Sequence, residues 1–150
     1  MKTHAINKKA RFDYEILKTY EAGLVLRGYE VKSIKTGHVS LKGAFVTVHK
    51  EELLLTNAHI PLYQFAGKMP NYEPERSRKL LVHKREIKNL IGKKKTEGLT
   101  LIPLSVYSKK GRIKLSFALA KGKKRYDKRQ TIKERETNIK IDRVMKSVNS

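Results

Sequence analysis

From Tyr14 to Ala120 the apolar residues recur chiefly at the two-residue spacing that puts one face of a strand on a core. Tyr14, Ile16 and Tyr20 alternate with polar neighbours and predict a strand over 14–20. Gly23 is read as its break, Leu24 to Arg27 as a second strand, and Glu21-Ala22-Gly23 as the tight connection between them. Val31 and Ile34, three apart and followed by Gly37, predict a short helix. The β-prone runs 44–49 and 53–56 flank Lys50-Glu51-Glu52 and predict a hairpin. Gly67, Pro70 and Pro74 then break regularity, and 66–79 reads as a long surface loop. Residues 80–83 read as a strand or a helix lead-in. Ile87, Leu90 and Ile91 repeat at helical spacing until Gly92, which is expected to end that helix. Leu99 to Tyr107 reads as a strand in which Pro103 demands an edge or a bulge. After Lys109-Lys110-Gly111 the clearest alternation begins, with Ile113, Leu115, Phe117 and Leu119 inward and Arg112, Lys114 and Ser116 outward. Ahead of all this, Asn7 is expected to cap a short turn through Lys8 to Arg11. Five or six strands with short helices between them predict a mainly β fold, a small closed or partly open antiparallel barrel.

The pattern stops at Lys121-Gly122-Lys123-Lys124-Arg125-Tyr126-Asp127-Lys128-Arg129, so the chain divides into a body over 1–120 and a basic tail over 121–150. The tail keeps only a thin apolar stripe (Ile132, Ile139, Val144, Met145, Val148) among like charges, so it is expected to be disordered alone and helical against a polyanion. The charge supports such a partner. The chain carries 35 Lys and Arg against 14 Asp and Glu, a formal +21. Because the body is basic as well as the tail, an extended phosphate surface fits better than a localisation signal. The absence of cysteine removes disulfides, thiolate nucleophiles and cysteine-held zinc. No window has the apolar length of a signal core or a membrane span, so the expectation is a cytoplasmic protein without membrane contact.

Little in the chain points to catalysis. His4, His38, His49, His59 and His83 fall at no metal-ligand spacing, and no glycine-rich phosphate loop is present, so neither metal nor cofactor is expected. Glu21, an acid in a basic protein, is either a turn carboxylate paired with Lys18 or an acceptor for a base edge or ribose hydroxyl. In the tail, Tyr126 offers a stacking face and Asp127 an acceptor among Lys124, Arg125, Lys128 and Arg129. A base stacked on an aromatic ring contributes ~1–3 kcal/mol, and this interleaving favours RNA contact over a merely solvated charge run.

Taken together and in order, Asn7-Lys8-Lys9-Ala10-Arg11, Asp13-Tyr14, Tyr20-Glu21-Ala22-Gly23, Glu30-Val31-Lys32-Ser33, Asn57-Ala58-His59-Ile60, Arg78-Lys79-Leu80-Leu81 and the run from Ala120 to Arg129 closely resemble the small protein B family of bacterial transfer-messenger RNA-binding proteins. The resemblance runs collinearly from about Asn7 to the C-terminus. It implies an OB-fold-like barrel and a non-enzymatic adaptor, acting as a monomer, that rescues stalled ribosomes by trans-translation. The barrel of that family binds the tRNA-like domain of transfer-messenger RNA, and its tail enters the empty mRNA channel near the decoding centre and becomes helical. Elongation factor Tu is an indirect partner. By motif position, Asn7, Arg11, Phe12, Glu21, Leu81 and Lys114 are implied for the RNA surface. Gly122, Lys123, Lys124, Tyr126, Asp127, Lys128 and Arg129 are implied for the ribosome. The family usually has histidine where Phe12 and Tyr126 stand here; either ring can stack, but Phe12 lacks the ring donor.

Overall fold

A computed structural model describes residues 1–123, apart from the side chains at 96 and 97. Its frame is the hairpin of β6 (Thr100–Lys109) and β7 (Arg112–Gly122), turned at Lys110 and Gly111, both at positive φ. β2 (Tyr14–Leu24) lies along the other edge of β7, and β5 (Arg78–Leu81) pairs with the end of β2. β3 (Phe45–His49) and β4 (Glu52–Thr56) form the expected hairpin between β6 and β5. Every pairing is antiparallel, and the β6–β7 pairing closes the order β6-β3-β4-β5-β2-β7 into a ring. Its seams are thin: β3 meets β6 at Val46 and Leu101, and β5 holds each neighbour through two residue pairs. The expectation of a closed or partly open, OB-like antiparallel barrel holds.

Burial follows the alternation read from the chain. Leu53, Leu55, Leu80, Leu101, Leu115 and Phe117 fill the interior, and Tyr20 stacks on Phe117 at 5.5 Å between ring centroids. The helix α2 (Gly28–Lys35) contributes Ile34, and α3 (Lys84–Glu97) contributes Ile87 and Leu90. A second, smaller apolar cluster lies on the outside of the barrel, where the short helix α1 (Ala10–Asp13) lays Ala10 over Ile102, Ala118 and Ala120.

Two bulges let the same strands serve both clusters. In β2 the register slips at Leu17, with Ile16 opposite Ala120 and Lys18 opposite Leu119. Tyr14 and Ile16 therefore pack outside, whereas Tyr20 and Ala22 pack inside, because one extra residue inverts the facing of everything beyond it. In β6 the slip falls between Pro103 and Ser105, so Pro103 sits beside a bulge, one of the two settings expected for it. Asn7 braces that point, its backbone N–H donating to Leu104 O at 2.8 Å and its side-chain amide to Pro103 O at 2.9 Å.

Several expectations need correction. Asn7 therefore does not cap a turn with its side chain; α1 begins after Lys9 without a side-chain cap. Among the described residues there are seven strands, because β1 (Lys2–Ile6), which carries little apolar signal, adds to the edge of β6. Gly23 does not break β2, and there is no separate strand over 24–27. β7 is long enough to pair the whole stretch, with Gly23 opposite both Lys114 and Leu81, and a Cβ at Gly23 would come within 3.4 Å of the Leu81 Cβ. The 80–83 stretch resolves as a strand that starts earlier, at Arg78. Gly92 lies inside α3, which ends at Gly98 in the left-handed region with φ 63, its N–H donating to Lys94 O.

Candidate nucleic-acid interface

Beyond α1 the outer face of the barrel is open and polar. Following the register across β5, β2, β7, β6 and β1 gives one row of Leu81, Gly23, Lys114, Tyr107 and Thr3. Two residues along, the next row is Glu21, Ser116, Ser105 and Ile6. Small residues at Gly23, Ser116 and Ser105 leave low ground between taller neighbours. Leu81 and Ile6 stand out of it, 56% and 63% exposed. Such a surface suits a ligand with a flat apolar face and polar edges.

Charge is concentrated beside this low ground. Glu21 lines a cleft of about 420 Å³ whose other walls are Lys109, Lys110, Arg112 and Lys114. The Tyr107 hydroxyl donates to Glu21 Oε2, and Lys109 Nζ reaches the same oxygen at 3.5 Å. The tyrosine hydrogen bond, which with help from Lys109 and Lys114 outweighs the opposing effect of burial, holds the Glu21 carboxyl below the ordinary range. Burial and the facing carboxylate push the Tyr107 hydroxyl far up, so it remains a donor at any physiological pH. The partner expected for Glu21 as a turn carboxylate, Lys18, instead sits over the Tyr20 ring at 5.2 Å. Phosphates can be held by the cations while the one anion selects for donors, which phosphates lack.

Glu21, Leu81 and Lys114 are thus brought together on one face. Asn7, Arg11 and Phe12 belong to a second region at α1, where Asn7 is committed to the β6 bulge. Gly122 is there too, paired with Tyr14 at the end of β7. Lys123 joins it, donating its N–H to Asp13 O and its Nζ to Arg11 O, both at 2.9 Å. Beside α1 runs a groove of about 530 Å³ whose walls include Ile6, Asn7, Lys8, Tyr14, Lys42 and Phe45. Lys124, Tyr126, Asp127, Lys128 and Arg129 lie outside the described residues. Sequence reasoning missed Tyr107, Lys109 and Arg112. The one signal for them was the alternation around a two-residue hairpin loop, which puts Tyr107, Lys109, Arg112 and Lys114 on one face.

A buried ionic network anchors the start of β5, the strand that ends at Leu81. Glu30 and Arg78 are both fully buried. Glu30 accepts from the Arg27 N–H at 2.9 Å, from Arg78 Nε at 2.9 Å and from Arg76 Nη2. Arg78 Nη1 also donates to Ala58 O at 2.8 Å, and Tyr72 donates to Ile60 O. Burial raises the Glu30 carboxyl, but the Arg27 N–H and the two guanidinium groups outweigh it and leave the group below its ordinary value. The network ties α2, the 57–77 loop and the first residue of β5, and β5 carries Leu81 to Gly23.

Among the described residues no three His, Cys, Asp or Glu side chains are grouped to hold a metal, and no helix is long and apolar enough to cross a membrane. The family model for the SmpB protein matches residues 4–147. An SsrA-binding protein of Pseudothermotoga lettingae is 54% identical over 147 residues, 97% of this chain and 98% of the relative. One from Trichodesmium erythraeum is 51% identical over 140 residues, 93% of this chain and 90% of the relative. A solved chain described as "tmRNA-SmpB: a journey to the center of the bacterial ribosome" superposes with a TM-score of 0.65 and 44% identity, covering 85% of this chain and 92% of that one.

Proposed function

The chain belongs to the SmpB protein family, and on that premise we propose that it is a non-enzymatic RNA adaptor. It binds the tRNA-like domain of transfer-messenger RNA and delivers it to the A site of stalled bacterial ribosomes for trans-translation. The observation that carries the reading is the outer face, where one carboxylate fixed among four cations adjoins Gly23 and Leu81. Lysine and arginine contacts to phosphate supply affinity without choice of sequence, and Glu21 supplies discrimination by accepting from a base edge or a ribose hydroxyl.

On the same reading, residues 1–120 form the RNA-binding body and 121–150 a tail that enters the vacant mRNA channel. There Lys124, Tyr126, Asp127, Lys128 and Arg129 meet ribosomal RNA near the decoding centre. Gly122 and Lys123, held against α1, set where that tail leaves the barrel. A segment that orders only inside an empty channel reports vacancy, and its ordering cost keeps the contact reversible. The adaptor acts in the cytoplasm as a monomer, meets elongation factor Tu only through the RNA they share, and leaves peptidyl transfer to the ribosome.

The test is binding of the full chain, and of a chain ending at Lys123, to transfer-messenger RNA with a tRNA competitor across a salt series. The expected result is a preference for transfer-messenger RNA in both chains, with tagging of stalled peptides lost in the shorter one. Equal binding to both RNAs, falling together with salt, refutes the adaptor reading and leaves a general polyanion-binding barrel.

A further inference from the structure

Tyr107 is the least expected member of the outer face. It is a nearly buried phenol on a row that otherwise faces solvent, and it donates its hydroxyl to an acid 86 residues away in the chain. A buried tyrosine needs a partner for its hydroxyl, but a neighbouring serine or carbonyl would serve. Here the partner is the only acid among the residues lining the cleft. The hydrogen bonds to Glu21 from Tyr107 and Lys109 both fall on Oε2. Among the described residues no donor reaches Oε1.

We propose that Tyr107 is the positioning residue of the RNA surface: by taking Oε2 it orients Glu21 so that Oε1 accepts a hydrogen bond from a nucleoside donor, a base amino group or ribose hydroxyl, in the cationic cleft. Without the hydroxyl, Glu21 has four flexible cations within reach, Lys109, Lys110, Arg112 and Lys114. An exposed glutamate among long basic chains has many nearly equal ion-pair arrangements, and none of them fixes a lone pair in space. The phenol is rigid, buried and single-valued in geometry, and it removes that freedom before RNA arrives. This selects a donor rather than a phosphate oxygen, since a fixed carboxylate repels phosphate while the surrounding cations hold the phosphates on either side. The inference rests on the adaptor reading.

The experiment is a double-mutant cycle on the full chain with Tyr107→Phe and Glu21→Ala, reading affinity for the tRNA-like domain of transfer-messenger RNA, preference over a tRNA competitor, and thermal midpoint. Phe keeps the ring and removes one hydroxyl. Tyr107→Phe should lose about tenfold in affinity, the size expected for one hydrogen bond to a charged group, while a modest fall in thermal midpoint leaves the chain fully folded at the temperature of the binding assay. In the Glu21→Ala background the same change should cost nothing. A pH series adds a readout that a packing role would not move. Acid-induced loss of binding should begin at higher pH in Tyr107→Phe, because the hydroxyl no longer favours the carboxylate. Equal losses in both backgrounds, or a loss with Glu21→Ala but none with Tyr107→Phe, overturn the positioning role while leaving the adaptor reading standing. If the wild-type chain shows no preference for transfer-messenger RNA, the adaptor reading fails and this inference with it.

Discussion

Arg78→Met tests whether the buried Glu30 network is what holds β5 in the barrel. The variant keeps most of the side-chain volume, so the cavity contribution is small. It removes the donors from Arg78 to Glu30, Nε at 2.9 Å and Nη2 at 2.7 Å, and strands Ala58 O, which now accepts from Nη1 at 2.8 Å. Glu30 stays buried with the Arg27 N–H and Arg76 as its remaining partners. Removing one partner of a buried ion pair costs ~3–5 kcal/mol, which at about 4 °C per kcal/mol for a body of this size is a fall of about 12–20 °C in Tm. Urea unfolding followed by circular dichroism reads it directly. The pH dependence gives a second check. In the wild type the Glu30 pKa is depressed, so its contribution is complete above the unfolded value of ~4.3 and is lost as pH falls through the lower folded value. In the variant the carboxyl has lost its best cation and takes up a proton sooner, so the stability gap between the two proteins should narrow on acidification. Replacing both members, Glu30→Leu with Arg78→Met, should cost less than Arg78→Met alone, since the two fully buried charges are then both gone and Arg76, the remaining member, has a partly exposed side chain. A loss under about 1.5 kcal/mol for Arg78→Met, or a gap that does not narrow on acidification, would refute the reasoning.

Two further perturbations separate local backbone effects and phosphate contacts from recognition. Gly98→Ala, forced into φ 63 at the end of α3, should cost ~1–2 kcal/mol, whereas Gly92→Ala, inside the same helix with no atom within 4 Å of the new methyl, should gain ~0.5–1 kcal/mol; denaturant midpoints decide both. Lys114→Ala should lower the slope of log affinity against log salt by roughly 0.7–0.9 if it holds one phosphate, while Glu21→Ala should leave the slope unchanged and reduce the preference for transfer-messenger RNA over tRNA.

The β6–β7 hairpin and the inward set Ile113, Leu115, Phe117 and Leu119 were legible because one uninterrupted alternation carries them. The extent of β2 was not. Gly23 looks like a stop when read alone, and only the partner strands, which pair it with Lys114 and Leu81, show that β2 runs through it. The same limit explains Gly92. Helical spacing allowed an end there, and the helix ran on because the left-handed terminus is supplied six residues later. At the interface, the motif positions brought Glu21, Leu81 and Lys114 to one face, but nothing local marks Tyr107 as the partner of Glu21. Asn7 shows the reverse case. Its motif position was plain, and the structure adds that its amide braces the bulge at Pro103.

By itself the chain determined its strand periods, its excess of positive charge, the point where regular pattern gives way to a cationic run, and the ordered motifs that identify the family. These are local or additive properties, and each is complete within a few residues or a simple count. Tertiary structure decided which face each period presents, since a single bulged residue at Leu17 inverts every later side chain and only the register against β7 reveals it. It also decided where acids go. A carboxylate is tolerated at Glu30 because Arg78, 48 residues away, is folded against it. Glu21 is oriented because Tyr107 is brought across β7 to meet it. Burial and charge pairing depend on contacts between distant segments, and those exist only once the barrel has closed.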